Sequence, residues 1–598
     1  MKLFNLVFLT YKILTMKPLL CIRSFKFLTC SLLFVLLLSV HSFSYGQGPF
    51  VWQNNFSRPG VSATGPYVES TDITYTENGS AIVAGATLDL LGASTGETDA
   101  CILKYSSSGV LMNTFYFDYN STHGFDKVVK IVAKGNYLYA LIKGHFNVAP
   151  TYDYDIQLFK MDTNLTVISS NYFNGTGNVN DIPVDMGIDM YGNVYVVGNT
   201  SRTATGGDIL LLKYDPNLVS MFVKYFSSTG VANDVATAMK VEPTGVCDIT
   251  GSAYSSTLGN RLLAMKYWGN GISLWTRYHD ANLSAAADDI GTSISYDPST
   301  GDVFVTGKGY YGTNYDWVVA KFNGIDGTKA WSKRFSGLNN NDDAGMDISY
   351  YSSSALYVVG NFKSTSAGVS LPSVVLKKLL PSDGSSVWSK TYTGITATPN
   401  ASSSGAYASS LFVTPNENVY VLGTTYIQTP TYNEANHLVL KYSSAGVLNW
   451  SDLRNASSFS GFQSFKAVKA TYIPSSQTLY VAGTMNVTMS FIGSMTITKY
   501  APTSILPPSN LESRSNLENS NIDFNLYPNP CSNNINVNSM GLNEFTSIKI
   551  VDINGKVVYV SGKSTLPINI PTDQLSNGLY HLILNYNGSL VTKKFLKE

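Results

Sequence analysis

A pair of short apolar strands recurs eight times along the chain, and that recurrence limits the fold more than any other feature. The copy from Gly192 to Tyr214 shows it plainly: Val194 to Val197 and Ile209 to Leu212 are four-residue runs rich in branched side chains, each closed by turn formers. Runs this short, so bounded, read as two strands joined by a loop. A glycine closing the second strand of each unit serves as a ruler, at Gly85, Gly144, Gly198, Gly251, Gly307, Gly360, Gly423 and Gly483. A lysine closing the third strand is a second ruler, at Lys104, Lys160, Lys213, Lys266, Lys321, Lys377, Lys441 and Lys499. Both give the same count.

Each unit holds four strands. In the third they are expected near Val184 to Asp189, Asn193 to Asn199, Asp208 to Tyr214 and Met221 to Phe226. Four strands in series per roughly 55 residues is the blade of a β-propeller. No unit shows the 3.6-residue apolar period that armadillo, tetratricopeptide or ankyrin arrays require.

The ends of the repeat region predict a closed ring. The fourth strand carries an aromatic pair, Trp331 with Phe335 and Trp388 with Tyr392, and nearly so Trp275 with Tyr278. The eighth unit stops after Lys499-Tyr500 without a fourth strand, and the missing spacing occurs at Trp52 and Phe56, ahead of the first unit. Val51 to Phe56 is therefore expected to complete the last blade, because an open ring would leave two sheet edges in water. The expectation is an all-β chain with an eight-bladed propeller over residues 47–500. The run D-x-Y-G-N-V-Y-V-V-G of the third unit, with Gly301 to Gly307 and Asn418 to Gly423, resembles the SBBP repeats of secreted bacterial proteins. That resemblance implies a fold and no particular activity.

Charge excludes some partners. Lys plus Arg equals Asp plus Glu at 40 each, and charged residues are 13% of the chain. A neutral, sparsely charged surface argues against nucleic acid as the partner. Residues 1–46 read as a signal peptide: Lys17, Arg23 and Lys26 precede the apolar run Leu32 to Val40, and small residues lead to a cut after Gly46. Met16 opens an equally normal charged region. The run falls short of the ~20 residues a membrane span needs, so no span is expected in the mature protein. Cys101, Cys247 and Cys531 lie in different units and are expected as buried small apolar groups.

Residues 501–522 carry Pro502, Pro507 and Pro508 among Ser, Asn and Glu, and read as a linker. Residues 523–598 are a separate module. Ile548 to Val558 is a strand, an Asn-Gly turn and a strand; Gly578 to Leu584 and Ser589 to Phe595 form a second hairpin. A small immunoglobulin-like β-sandwich is expected. The module resembles the type A C-terminal sorting domain of the type IX secretion system of Bacteroidetes. The residues carrying the likeness are Tyr527, Pro528, Asn529 and Pro530, then Asn554-Gly555, Gly578 and Tyr580, and Lys593-Lys594. It implies recognition by the secretion machinery and a secreted or outer-membrane surface location.

Candidate chemistry is sparse. His123, His145, His279, His437 and His581 show no metal-ligand spacing. Asp99, Asp155, Asp208 and Asp316, with Asn436, open the third strand, five residues before the ruler lysine. A calcium-binding ring is one reading; turn capping is the favoured one, and no cofactor is assigned. The odd offset puts Asp and Lys on opposite faces, so each lysine must find its partner elsewhere. Asp234, Asp288-Asp289 and Asp342-Asp343 precede the first strand and are expected at the funnel rim, where a glycosidase would need two carboxylates about 5–10 Å apart. Repetition favours a structural role. Gly324 to Trp331 and Ser382 to Trp388 are similar to the tryptophan-docking motif of quinoprotein dehydrogenases, although a tight turn with a packing Trp accounts for them. No catalytic residue is assigned. The leading expectation is a non-enzymatic module binding an extracellular glycan or protein; the alternative is a polysaccharide-acting enzyme with carboxylates at the funnel.

Overall fold

The computed structural model describes residues 46–47, 50–58, 68–88, 97–118, 124–148, 151–177, 179–202, 205–228, 232–281, 287–337, 341–366, 369–394, 403–428, 433–454, 463–487, 492–501, 524–538, 544–545, 547–552, 557–586 and 589–598. The signal-peptide expectation, nearly all of the linker, His123 and the Asn554-Gly555 turn lie outside the described residues.

Among the described residues, all regular structure is β, and no helix is long and apolar enough to cross a membrane. The third unit holds Asp181–Ile188, Val194–Arg202, Gly206–Tyr214 and Ser220–Phe226, antiparallel neighbours in that order. The same meander recurs six times between Glu69 and Tyr392. A larger sheet contains two more meanders, the last formed by Gln463–Ile473, Thr478–Val487, Ile492–Tyr500 and the N-terminal strand Phe50–Phe56. Trp52 faces Lys499 and Asn54 faces Ile497 in that pairing. The first strands of the meanders touch in succession, and that of the last touches that of the first. The architecture is propeller-like.

Burial explains the short apolar runs. Ala81–Leu88 and Thr98–Tyr105 are buried at every position, because both faces of each sheet are covered by its neighbours. One apolar cluster takes Ile82, Ala84, Ala100 and Ile102 from the first sheet, and Val128, Ile131, Leu138 and Ile142 from the second. Fourth strands such as Lys329–Phe335 are outermost and alternate between exposed and half-buried.

The recurring glycine lies inside the second strand rather than at its end, and it answers a steric demand. The first strand of every meander skips one residue of register, as between Ser70 and Asp72 or between Ala236 and Ala238. This is a β-bulge. The glycine opposite it leaves no room for a side chain: a Cβ on Gly251 would lie 1.8 Å from the Val235 carbonyl oxygen, and one on Gly85 1.9 Å from that of Glu69. Two ruler positions need correction. In the second sheet the bulge faces Ile142, and Gly144 lies two residues beyond it, opposite Asp155. In the sixth, the register of the ruler lysine belongs to Lys378, which faces Tyr357 and Trp388; Lys377 is its neighbour. Counting along the chain fixes the period and leaves the register one or two residues free.

Residues 524–598 have a core of their own, including Phe524, Ile535, Ile548, Leu582 and Phe595. Their largest sheet orders Val557–Ser561, Ser547–Asp552, Gly578–Tyr586 and Ser589–Lys597; a three-stranded sheet holds Asn525–Tyr527, Asn534–Asn538 and Ile568–Pro571. Cys101, Cys247 and Cys531 are buried free thiols.

Gly251→Ala should lower stability by about 2–3 kcal/mol, since backbone rather than a yielding side chain blocks the added methyl. Gly135→Ala, whose Cβ meets nothing within 4 Å, is the comparison, its cost confined to a φ of +56°. Chemical denaturation checks both; equal losses would contradict the bulge argument.

Candidate central channel

The bulge turns the residue after it toward the middle of the ring. In sheet order these are Asp72, Lys130, Asp185, Ala238, Ser293, Asp347, Ser410 and Lys469, and with Lys240 they line a cavity of about 630 Å³. Three carboxylates and three ammonium groups therefore share the channel. Lys130 Nζ lies 3.7 Å from Asp72 and 3.6 Å from Asp185, and the two carboxylates push its pKa up. Asp347 accepts from Ser293 Oγ at 2.7 Å, from Ser410 Oγ at 2.9 Å and from the Leu411 amide at 2.9 Å. Burial alone would raise its pKa; Lys469 and these donors hold it below the usual carboxylate range. Lys240 is accessible to water yet walled by protein, and that desolvation lowers its pKa.

A seam of hydrogen bonds follows the bulges. Thr71 Oγ1 donates to the Val128 carbonyl at 2.6 Å, Thr292 Oγ1 to that of Gly345 at 2.7 Å and Ser409 Oγ to that of Ala467 at 2.9 Å. In the return sense the Ile131 amide donates to Asp72 at 3.0 Å and the Met239 amide to Asp185 at 3.2 Å. A channel lined by three carboxylates, three ammonium groups and satisfied amides is hydrophilic and nearly neutral. The channel set escaped sequence reading, although one signal was available. Where the bulge glycine is present, these residues stand thirteen or fourteen positions ahead of it.

The residues singled out from sequence hold sheets together and are not gathered in one place. Asp99 pairs with Arg58 and Asp316 with Arg334; Asp208 binds Arg202 at 3.2 Å and Thr205 at 2.6 Å, and Asp155 accepts from Tyr172 at 2.5 Å. Asn436 is buried, as are these aspartates. Asp289 accepts the Ala281 and Tyr310 amides at 2.8 and 2.7 Å, so it staples the incoming loop to the second strand. Asp343 does the same for Gly337 and Lys363, and Asp234 for Ser228 and Tyr254. Asp288 binds Asn260, and Asp342 the Tyr315 amide. These aspartates stand outside the channel lining. Among the described residues no group of three or more His, Cys, Asp or Glu side chains is placed to hold a metal ion.

Several ruler lysines and strand-four tryptophans dock one sheet on the next. Lys160 donates to the Pro216 carbonyl at 2.8 Å, Lys213 to that of Gly269 at 2.7 Å and Lys499 to that of Ser107 at 2.6 Å. Trp275, Trp331 and Trp388 donate to the carbonyls of Gly324, Pro381 and Ser444, at 3.2, 3.1 and 3.0 Å. Every acceptor lies in the turn before the next sheet's fourth strand. A Cβ on Gly384 of such a turn (φ +70°) would lie 2.8 Å from the Trp331 ring. This contact is what the repeated Gly and Trp serve.

In the C-terminal module, Asn529 clamps the last strand: its Oδ1 accepts the Leu596 amide at 2.9 Å and its Nδ2 donates to the Lys594 carbonyl at 3.2 Å. Tyr527 closes the strand Asn525–Tyr527, and Pro528 and Pro530 flank Asn529. Gly578 opens the strand Gly578–Tyr586. Tyr580 is buried against Phe595 with ring centroids 5.6 Å apart, and its hydroxyl donates to the Ser576 carbonyl at 2.8 Å. Lys593 Nζ lies 5.7 Å from the centre of the Phe524 ring, and Lys594 is exposed.

Residues 525–598 match the family described as the secretion system C-terminal sorting domain. The C-terminus thus carries a sorting domain of the type IX system, which marks the chain for export to the cell surface or medium and for contact with that machinery. No curated protein matches the chain in sequence. Among solved structures, Sqt1 of Chaetomium thermophilum bound to the N-terminus of ribosomal protein L10 is 11% identical, with 76% of this chain and 100% of that chain covered and a TM-score of 0.45. The WD40 domain of SCAP from fission yeast is 10% identical, with 76% and 99% covered and a TM-score of 0.38. At such scores neither bears on what this chain does.

Two buried histidines give the fold a pH dependence. Burial, helped by Lys329, lowers the His279 pKa to about 4; burial, helped by Arg454, lowers that of His437 to about 3. Unfolded histidine titrates near 6.5, so the unfolded chain takes up protons first as pH falls. The stabilisation is complete above about pH 6.5 and is lost toward pH 4, on the order of 3 kcal/mol for each residue. Asp155, raised to about 7 by burial, acts in the opposite direction. The readout is therefore the difference between variants: His437→Gln should flatten the acid limb of stability between pH 6.5 and 4. Parallel curves would refute the assignment.

Proposed function

We propose that residues 47–500 form a closed eight-bladed β-propeller of the SBBP type and that residues 501–522 are a linker. Residues 523–598 are then an immunoglobulin-like sorting sandwich of a Bacteroidetes protein. The eight first strands touching in succession support the ring. The hydrogen bond from Tyr580 to a carbonyl four residues upstream supports the sandwich, where such a tyrosine corner recurs. On this reading the mature propeller is a non-enzymatic binding or scaffold module outside the cell, needs no cofactor, and meets a glycan or protein through its blade ends.

One observation carries it: the repeated carboxylates are spent on internal staples, while the turns before the fourth strands present side chains outward. Val110, Ile168, Val219, Ile272, Ile325, Val387 and Val447 are exposed at or beside that turn in seven successive sheets. Arrays of glycans and extracellular proteins probed with the purified full-length protein test the reading, with product analysis on every glycan hit. Binding without turnover is the expected result. Hydrolysis of a bound glycan would instead favour the enzyme reading, in which Asp72, Asp185 and Asp347 of the channel are the carboxylates to test.

Export separates from folding. A chain ending at Tyr500 should keep the thermal unfolding of the propeller, because its last sheet is completed by Phe50–Phe56, yet accumulate in the periplasm of its host. Fractionating periplasm, surface and medium checks this; normal surface delivery of the shortened chain would overturn the sorting assignment.

A further inference from the structure

A second cavity, also about 630 Å³, opens where the first, second and last sheets meet. Among the described residues its charged lining is uneven for a chain with 40 basic and 40 acidic residues: Lys127, Lys143 and Lys466 face it with one carboxylate, Glu69. Lys127 pairs with Glu69 at 2.8 Å. Lys143 Nζ lies 3.5 Å from the centre of the Tyr154 ring, so an aromatic face holds that ammonium in place. Burial and the neighbouring Lys127 both lower the Lys143 pKa, which means that its charged form is held there at a cost. Lys466 is exposed on the wall contributed by the last sheet. Phe125 lines the same cavity with 41% of its surface exposed.

This arrangement has a definite chemical complement. An anionic group entering between the three lysines relieves the repulsion between Lys127 and Lys143. Lysines act as point charges that accept an anion from many directions, unlike the planar fork of arginine. The exposed Phe125 ring offers an apolar face beside those charges, and the volume falls within the range of small-ligand sites. The geometry points to a binding site for an anionic oligosaccharide, in which a pyranose ring lies against Phe125 and its carboxylate or sulfate meets Lys127, Lys143 and Lys466. The choice of a saccharide rests on the extracellular binding reading above; the choice of an anion rests on the lysines alone.

Calorimetric titration of the full-length protein at low salt tests the site with three probes: trigalacturonate, a sulfated galactose oligomer and neutral maltotriose. Trigalacturonate, the sulfated oligomer or both should bind, maltotriose should not, and added salt should weaken binding. The arm that binds more tightly distinguishes carboxylate from sulfate. Lys143→Gln and Lys466→Gln should each weaken binding roughly fivefold, as expected for one partly exposed charge contact. Lys240→Gln, in the channel, should leave it unchanged. Lys466 is exposed, so its variant keeps the test valid if Lys143→Gln fails to fold. Equal binding of maltotriose, absence of anion binding, or unchanged affinity in both pocket variants would each overturn the site. Unchanged affinity with binding intact would remove this pocket and leave the binding reading standing; failure across the glycan and protein arrays would remove the reading itself.

Discussion

One skipped residue in the first strand of each sheet organises the whole ring. The bulge brings its own side chain to the next sheet, where Thr71, Thr237, Thr292 and Ser409 donate to a first-strand carbonyl. It crowds the second strand, where a glycine stands in every sheet but the second, which has Ile142. It also re-aims the following residue, which supplies every charge of the channel except Lys240. A single backbone irregularity therefore sets the seam, the repeat signature and the chemistry of the lumen. Each hydrogen bond in the seam contributes only about 1 kcal/mol. Their effect is collective, because a sheet that detaches exposes apolar faces on both sides.

An outer seam works with the inner one. Lysines and tryptophans at the ends of the third and fourth strands reach the next sheet's turn, and the N-terminal strand repeats the contact between last and first. Trp52 Nε1 donates to the Ser107 carbonyl at 3.4 Å and Lys499 Nζ to the same oxygen at 2.6 Å. The join between the first and last sheets thus uses the same chemistry as the joins made by Lys160, Lys213, Trp275, Trp331 and Trp388. That is why the spacing Trp52 to Phe56 was readable as a displaced fourth strand.

What the sequence displays depends on how each strand is buried. Second and third strands are covered on both faces, so they appear as apolar runs, and their number and order were legible. First strands are different. Ile290–Tyr296 and its counterparts alternate buried and half-buried positions with a period broken by the bulge, so neither a period of two nor a continuous run survives. The channel charges lie on those strands and were missed. The aspartates that did catch the eye, Asp234, Asp289 and Asp343, repeat because loops need the same staple in every sheet. Some lysine partners could not be found from one unit, since they belong to the next: Gly269 for Lys213, Pro216 for Lys160. Lys266 and Lys321 instead also pair within their own units, with Asp248 and Asp302.

The C-terminal module shows how a recognition motif can also be structural. Its two ends are bound to each other: the Cys531 amide donates to the Leu596 carbonyl at 2.8 Å, and the Glu598 amide to the Cys531 carbonyl at 2.9 Å. Asn529 adds two contacts to the same strand. Asn529, one of the residues that resemble a sorting signature, therefore helps to close this small domain. Few internal contacts are available to a module of this size, so the closing hydrogen bonds weigh heavily in its stability. On this module Lys594 is exposed, whereas Asn529 is already engaged. Substitutions at the two positions differ in kind: one changes a surface, the other opens the fold that presents it.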